Sequence, residues 1–195
     1  VDLHAPAIQG FFDVPVDNLT AIPILAQHLV NERLSDVVVV SPDSGGVARA
    51  SQFNSVVGAD LAFIAKSRPE PDMAKVLNVV GDVRDKVAVI VDDMISTGST
   101  LVEAANLLCR RGARSVLAYA VHPVLADDAV ELIERSSLEQ VVVMNTLPVP
   151  NTAQDGKIKV LDIAPLLAEA IKRIHEGRSV SALFQATRFR QEMLI

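Results

Sequence analysis

Six short apolar runs punctuate the chain, most of them separated by enough residues for a single helix. Residues 36–41 (DVVVVS), 61–65 (LAFIA), 86–91 (KVAVIV), 114–120, 140–144 and 158–161 are apolar at successive rather than alternate positions. That predicts strands buried on both faces. A glycine-containing turn at 43–46 leads into a helical stretch through about Val57. Apolar residues at 101, 104, 105 and 108 fall on one helical face over 100–111, with Gly112 as the stop. A further helix is predicted over 127–135, and a last one opens at Pro165 and ends at Gly177. Ahead of the first strand, 18–33 reads as an additional helix capped by Asn18. Parallel strands joined through single helices cross over right-handedly. The fold class is therefore α/β, a doubly wound, mainly parallel sheet flanked by helices.

One segment fits no element. Residues 67–81 (SRPEPDMAKVLNVVG) carry a Pro-x-Pro pair where a crossover helix belongs, and a long connection inside an α/β domain predicts a functional lid.

Composition narrows the picture in three ways. The 195 residues are 50% hydrophobic with no Trp and one Tyr, so the core is built from Val, Leu, Ile and Ala. A net charge of -6 argues against a protein that coats nucleic acid or an anionic membrane. Cys109 is the single cysteine and lies in a helical pattern, which excludes a disulfide framework and predicts a packed thiol. No apolar run reaches the roughly 18 residues of a membrane span, and no signal peptide is visible, so a cytoplasmic location is the expectation. The chain opens at Val1 without a lead-in, which suggests processing or a piece of a longer protein.

The candidate chemistry lies in 88–101, AVIVDDMISTGSTL. Two adjacent aspartates end a strand, and Ser96, Thr97, Gly98, Ser99 and Thr100 then run into a helix start. Ligands of open parallel sheets bind beyond the carboxyl ends of the strands. Backbone N–H groups, hydroxyls and the positive end of a helix dipole make an anion cradle there, and Gly98 allows close backbone approach. A phosphate in that cradle would place its sugar against Asp92 and Asp93. A capping cluster is the plainer alternative, but caps account for one or two hydroxyls rather than four beside an aspartate pair.

VIVDDMISTGSTL resembles the phosphoribosyl pyrophosphate loop of the type I phosphoribosyltransferase fold. Phosphoribosyltransferases and ribose-phosphate diphosphokinases share this loop. The flanking stretches VDLHAPAIQGFFDVPVDNL, SPDSGGVARA, AKSRPEP with NVVGDV, AYAVHPVLADDAVELIE and LLAEAIKRIHEGRSVSALF resemble the diphosphokinases, also called phosphoribosyl pyrophosphate synthetases. The resemblance spans 1–184, matches the second of that family's two α/β domains, and leaves 185–195 as a tail of unknown role.

What the resemblance implies is specific. Diphosphokinases transfer the diphosphoryl group of ATP to the C1 hydroxyl of ribose 5-phosphate for nucleotide biosynthesis, with Mg²⁺. Lys66 and Arg68 would be the catalytic cations; Asp92 and Asp93 would take the ribose hydroxyls, and Ser96, Thr97, Gly98, Ser99 and Thr100 the 5-phosphate. His4 and Asp43 would be metal-linked, with Asp2, Asp13 and Asp17 as weaker candidates. Ser179, Val180, Ser181 and Phe184 match a regulatory segment, and His122 matches a family position that reads equally well as a turn. The partners implied are ATP, ribose 5-phosphate, further copies in a dimer or hexamer, and an absent N-terminal domain. Ser96 stands where diphosphokinases commonly have Asp, and Ala7 where they have Gln. A stand-alone phosphoribosyltransferase and a non-catalytic synthetase-associated subunit are the alternatives.

Overall fold

Val38, Val39 and Val40 have no solvent exposure, and neither have Val89, Ile90 and Val91. Runs of this kind show water no polar face and occupy the middle of a sheet. The computed structural model describes residues 1–67 and 76–184. The element order is α1 (Ile22–Asn31), β1 (Val37–Ser41), α2 (Val47–Val57), β2 (Asp60–Ser67), β3 (Val76–Val80), β4 (Val87–Ile95), α3 (Ser99–Arg110), β5 (Ser115–Pro123), α4 (Ala129–Glu134), β6 (Gln140–Met144), α5 (Asn151–Gln154), β7 (Ile158–Leu161) and α6 (Ala164–His175). The strands form one sheet in the order β3-β2-β1-β4-β5-β6-β7.

Every neighbouring pair is parallel except β2 with β3. Successive strand residues point to opposite faces, so the buried runs feed two apolar layers. Val38, Val40, Ala88 and Ile90 pack with Leu101 and Leu108 of α3 and Ile133 of α4. Val39, Val89, Val91 and Tyr119 pack with Leu25 of α1, Phe53 of α2 and Leu166 of α6. The doubly wound α/β reading is what the chain adopts.

The sheet order also locates a crevice. From β1 the chain passes outward to β2 and β3, then returns to place β4 on the other side of β1. Connections therefore diverge at β1 and β4, and the gap at their carboxyl ends is the switch point where open α/β sheets bind ligands.

Several local expectations are corrected. The last part of 67–81 is a strand, β3, which lies antiparallel on β2 with Lys66 opposite Leu77; residues 68–75 fall outside the described set. Strand β4 does not stop at Val91 but runs on through both aspartates to Ile95, because β5 continues beside it as far as Pro123. Asn18 caps nothing: α1 begins at Ile22, and the Asn18 Oδ1 accepts the Leu3 N–H at 3.3 Å instead. The entry segment is not featureless, since Pro6–Phe11 form a 3-10 turn that includes Ala7. Cys109 is exposed rather than packed. Gly112 and Gly177 do end their helices, with φ of 91° and 66°.

Candidate active site

Two like charges at adjacent buried positions repel unless a cation lies between them. Arg49, on the first turn of α2, supplies it. Its Nη1 donates to the Asp92 Oδ1 at 2.9 Å, and its Nη2 lies 2.9 Å from the Asp93 Oδ2. Each carboxylate also bends back onto the strand. The Asp92 Oδ1 accepts the Asp93 N–H, and the Asp93 Oδ1 accepts the Met94 N–H, both at 2.9 Å. The result is asymmetric: the Asp92 side chain is 32% exposed and that of Asp93 only 6%.

The chain start crosses this end of the sheet as a strap. His4 Nδ1 donates to the Asp93 Oδ2 at 2.7 Å, so of its two ring nitrogens Nε2 is the one outside this contact. Besides the Leu3 N–H to Asn18 contact, the strap is held at its first two residues. Asp2 N–H donates to the Leu19 carbonyl at 2.8 Å. The Asp2 carboxylate accepts the Thr20 hydroxyl at 2.7 Å and the Ala21 N–H at 2.6 Å. His122 Nε2 lies 3.2 Å from the Val1 and Asp2 carbonyls, while its Nδ1 meets the Thr146 hydroxyl at 2.9 Å. His122 is thus a strap anchor at the end of β5. Asp2 likewise serves to close the strap, and both its oxygens are engaged in doing so.

Downstream, Gly98 is buried with φ +76°, a conformation that turns β4 into α3 and that a side chain would resist. No side chain caps α3. That removes the capping alternative for the hydroxyl cluster: Thr97 and Ser99 share a hydrogen bond of 3.0 Å, and Ser96, Thr97, Ser99 and Thr100 are exposed. As a first helical turn, Ser99, Thr100 and Leu101 present N–H groups that have no carbonyl four residues back. The loop is braced from behind, where the Ile95 and Ser96 carbonyls accept Leu125 and Ala126 N–H at 2.9 and 3.1 Å.

His4, Asp43, Asp92, Asp93, Ser96, Thr97, Gly98 and Thr100 line one cavity of about 230 Å³. Asp43 follows β1, and its Oδ1 accepts the Gly45 and Gly46 N–H at 2.9 and 3.0 Å, which shapes the turn into α2. Asp13 and Asp17 are exposed and do not line the cavity. Neither do Ser179, Val180 and Ser181: the Ser179 carbonyl accepts Arg173 Nη1 at 3.2 Å and its hydroxyl accepts the Ser181 N–H at 3.1 Å, at the end of α6. Phe184 closes the 3-10 turn Ser181–Phe184. The Lys66 backbone sits in β2, and Arg68 lies outside the described residues.

A divalent cation suits this donor set. Among the described residues no group of three or more His, Cys, Asp or Glu could cage a metal. Hard cations such as Mg²⁺ need few protein ligands when phosphates and waters complete the shell. A metal-binding imidazole commonly gives its other N–H to a carboxylate, as His4 does to Asp93.

Burial pushes the Asp92 carboxyl up to about 6, against the pull of the Asp93 N–H and of Arg49. Burial opposes ionisation of Asp93 as well, but the His4 hydrogen bond and the Arg49 charge outweigh it and hold that carboxyl below the ordinary range. Since its folded value lies above the ordinary 3.8, the contribution of Asp92 to stability is complete below that value and is lost as pH rises through about 6. Ionised Asp92 is therefore held at a cost. Asp92→Asn is expected to raise the guanidinium unfolding midpoint at neutral pH and to leave it nearly unchanged in acid, where the native carboxyl is already protonated. Equilibrium unfolding at the two pH values checks this.

Comparison with known proteins bears on the same residues. The family model described as a phosphoribosyl synthetase-associated domain matches residues 43–185. The chain is 48% identical over 187 residues to a ribose-phosphate pyrophosphokinase of Clostridium acetobutylicum, covering 95% of this chain and 59% of the relative. It is 52% identical over 185 residues to that of Aquifex aeolicus, covering 94% and 59%. Among solved structures, phosphoribosylpyrophosphate synthetase from Mycobacterium smegmatis superposes with a TM-score of 0.82 at 41% identity, over 90% of this chain and 57% of that one. The chain thus spans about three-fifths of the length of these relatives.

Proposed function

The chain belongs to the phosphoribosyl synthetase-associated domain family, and from that membership we propose that it acts in ribose-phosphate diphosphokinase catalysis, its cavity gripping ribose 5-phosphate. The observation that carries this reading is the meeting, at one switch-point crevice, of an aspartate pair and an uncapped, hydroxyl-lined helix start. Ionised carboxylates only accept, which suits sugar hydroxyls, and helix-start N–H groups only donate, which suits a phosphate.

In the proposed reaction the C1 hydroxyl oxygen of ribose 5-phosphate bonds to the β-phosphorus of ATP and its proton passes to solvent. The bond from that phosphorus to the oxygen bridging it to the α-phosphate breaks, and AMP leaves. Such transfers depend on alignment and charge neutralisation more than on covalent help. Asp92 and Asp93 orient the sugar, and Ser96, Thr97, Gly98, Ser99 and Thr100 hold its 5-phosphate. Lys66 and Arg68 neutralise charge on the transferring group. Mg²⁺, when bound, would offset the negative charge of the phosphate oxygens. His4 through Nε2 and Asp43 would be the side chains to hold it, whereas Asp2, spent on the strap, would not.

The remaining length of the relatives is where we place the adenine-binding domain, and a homo-oligomer would supply the rest of the nucleotide site. A cytoplasmic location goes with the same reading. Among the described residues no helix is long and apolar enough to cross a membrane.

The test is AMP formation from ATP, ribose 5-phosphate and Mg²⁺, measured with and without a relative's N-terminal domain supplied in trans. AMP in either mixture supports the proposal. Base-dependent pyrophosphate release from 5-phosphoribosyl 1-pyrophosphate would instead favour a stand-alone phosphoribosyltransferase, the reading that Ser96 in place of Asp suggests. Ribose 5-phosphate binding without turnover in any mixture would leave a non-catalytic subunit.

A further inference from the structure

The sequence pattern points to the aspartates but says nothing of what holds them. Arg49 belongs to another element, 43 residues away from Asp92. We propose that Arg49 is the positioning residue of the sugar site: its guanidinium spans Asp92 and Asp93, fixes which carboxylate oxygens face the ligand, and thereby sets a preference for ribose over 2-deoxyribose. The inference rests on the ribose 5-phosphate reading above and deepens it.

Four observations support it. First, the contact is a fork, with two different guanidinium nitrogens each 2.9 Å from a different carboxylate. A planar guanidinium can do this, whereas an ammonium is a point charge that serves one partner at a time. Second, the contact sorts the oxygens. The Asp92 Oδ1 is taken by Arg49 and the Asp93 N–H. The Asp93 Oδ2 is shared by Arg49 and His4, and its Oδ1 accepts the Met94 N–H. Asp92 lines the cavity and its side chain is 32% exposed against 6% for Asp93, so it is the carboxylate open to a sugar hydroxyl.

Third, the preceding turn packs closely against Ser41 and beside the guanidinium. A Cβ at Gly46 would stand 2.8 Å from the Ser41 Oγ and 3.5 Å from the Arg49 Nη1. A side chain there would displace the turn that launches α2. Fourth, that turn is held by Asp43, whose Oδ1 accepts the Gly45 and Gly46 N–H. Arg49 therefore ties the β1 loop to the end of β4 across the crevice, with the cavity between them.

The experiment is calorimetric titration of the whole chain with ribose 5-phosphate, 2-deoxyribose 5-phosphate and inorganic phosphate, on the native protein, Arg49→Ala and Arg49→Lys, with circular dichroism to confirm folding. The native protein is expected to prefer ribose 5-phosphate over the 2-deoxy sugar by about tenfold or more, the weight of a hydrogen bond to a charged group. In Arg49→Ala that preference collapses towards unity while inorganic phosphate affinity stays within about threefold of native, because the phosphate cradle lies on a different loop. Arg49→Lys restores part of the preference.

A folded Arg49→Ala that keeps the native preference overturns the inference. Should Arg49→Ala not fold, Arg49→Lys decides, and full native preference there overturns it. A native protein that binds ribose 5-phosphate well but does not discriminate overturns this inference alone. One that binds it no better than inorganic phosphate overturns the functional reading and this inference with it.

Discussion

Asp93→Ala is expected to lower ribose 5-phosphate affinity by about one to two orders of magnitude and to cost about 1–3 kcal/mol of stability, the range for losing hydrogen bonds to a charged group. Asp93 is 4% exposed and takes hydrogen bonds or ion pairs from Arg49, His4 and the Met94 N–H. Its removal takes away one of the guanidinium's two carboxylates and releases the strap histidine at once. The neighbouring residue should behave oppositely in stability. Asp92, pushed up to about 6 by burial, is ionised against its surroundings at neutral pH, so Asp92→Asn gains stability while losing the sugar. On the proposed function the two adjacent aspartates divide the work: Asp93 fixes the frame and Asp92 would meet the ligand. Thermal unfolding of both variants beside their ribose 5-phosphate titrations separates the roles.

The second large effect is expected at Lys66. Lys66→Ala should lower turnover by about 10²–10³-fold, the usual loss when one preorganised partner of transition-state charge is removed. Its backbone is fixed in β2 opposite Leu77. The proposed grip on ribose 5-phosphate is built from β4, the loop into α3, Arg49 of α2 and the strap, so its dissociation constant should stay near native. Steady-state kinetics with calorimetry decides between the roles. A raised dissociation constant with unchanged turnover would make Lys66 a binding residue instead.

The sheet was legible because its central strands are apolar at every position, a pattern that only a doubly covered strand requires. The stretch that lines the cavity stood out because an aspartate pair followed by hydroxyls and Gly98 is more than a helix cap needs, and no side chain caps α3. What escaped the sequence was of another kind. β3 was hidden because VLNVV is short and follows two prolines, and its strand state depends on pairing with β2. The extension of β4 through Asp92 and Asp93 was hidden because carboxylates are poor strand formers, yet the partner strand β5 runs on past them. Asn18 has the chemistry of a helix cap, but the strap takes its side chain through the Leu3 N–H.

Arg49 is the most informative omission. It lies inside the SPDSGGVARA stretch, but nothing local distinguishes it from a surface cation on an exposed helix turn. Its meaning comes from two carboxylates on another strand, which only the fold brings within 2.9 Å. A sequence-level signal did exist: two adjacent aspartates at a buried strand end demand a cation from elsewhere. His122 is similar, since an HP pair at a strand end reads as a turn until the Val1 and Asp2 carbonyls arrive beside it.

The most direct test of the central claim is a crystal structure of the chain grown with ribose 5-phosphate. The account predicts the phosphate on the backbone N–H groups and hydroxyls of Thr97, Ser99 and Thr100, the sugar hydroxyls on Asp92, and Arg49 still bridging the two aspartates. A ribose 5-phosphate bound outside the β1 and β4 crevice, or one lying there with its phosphate away from the start of α3, would contradict it.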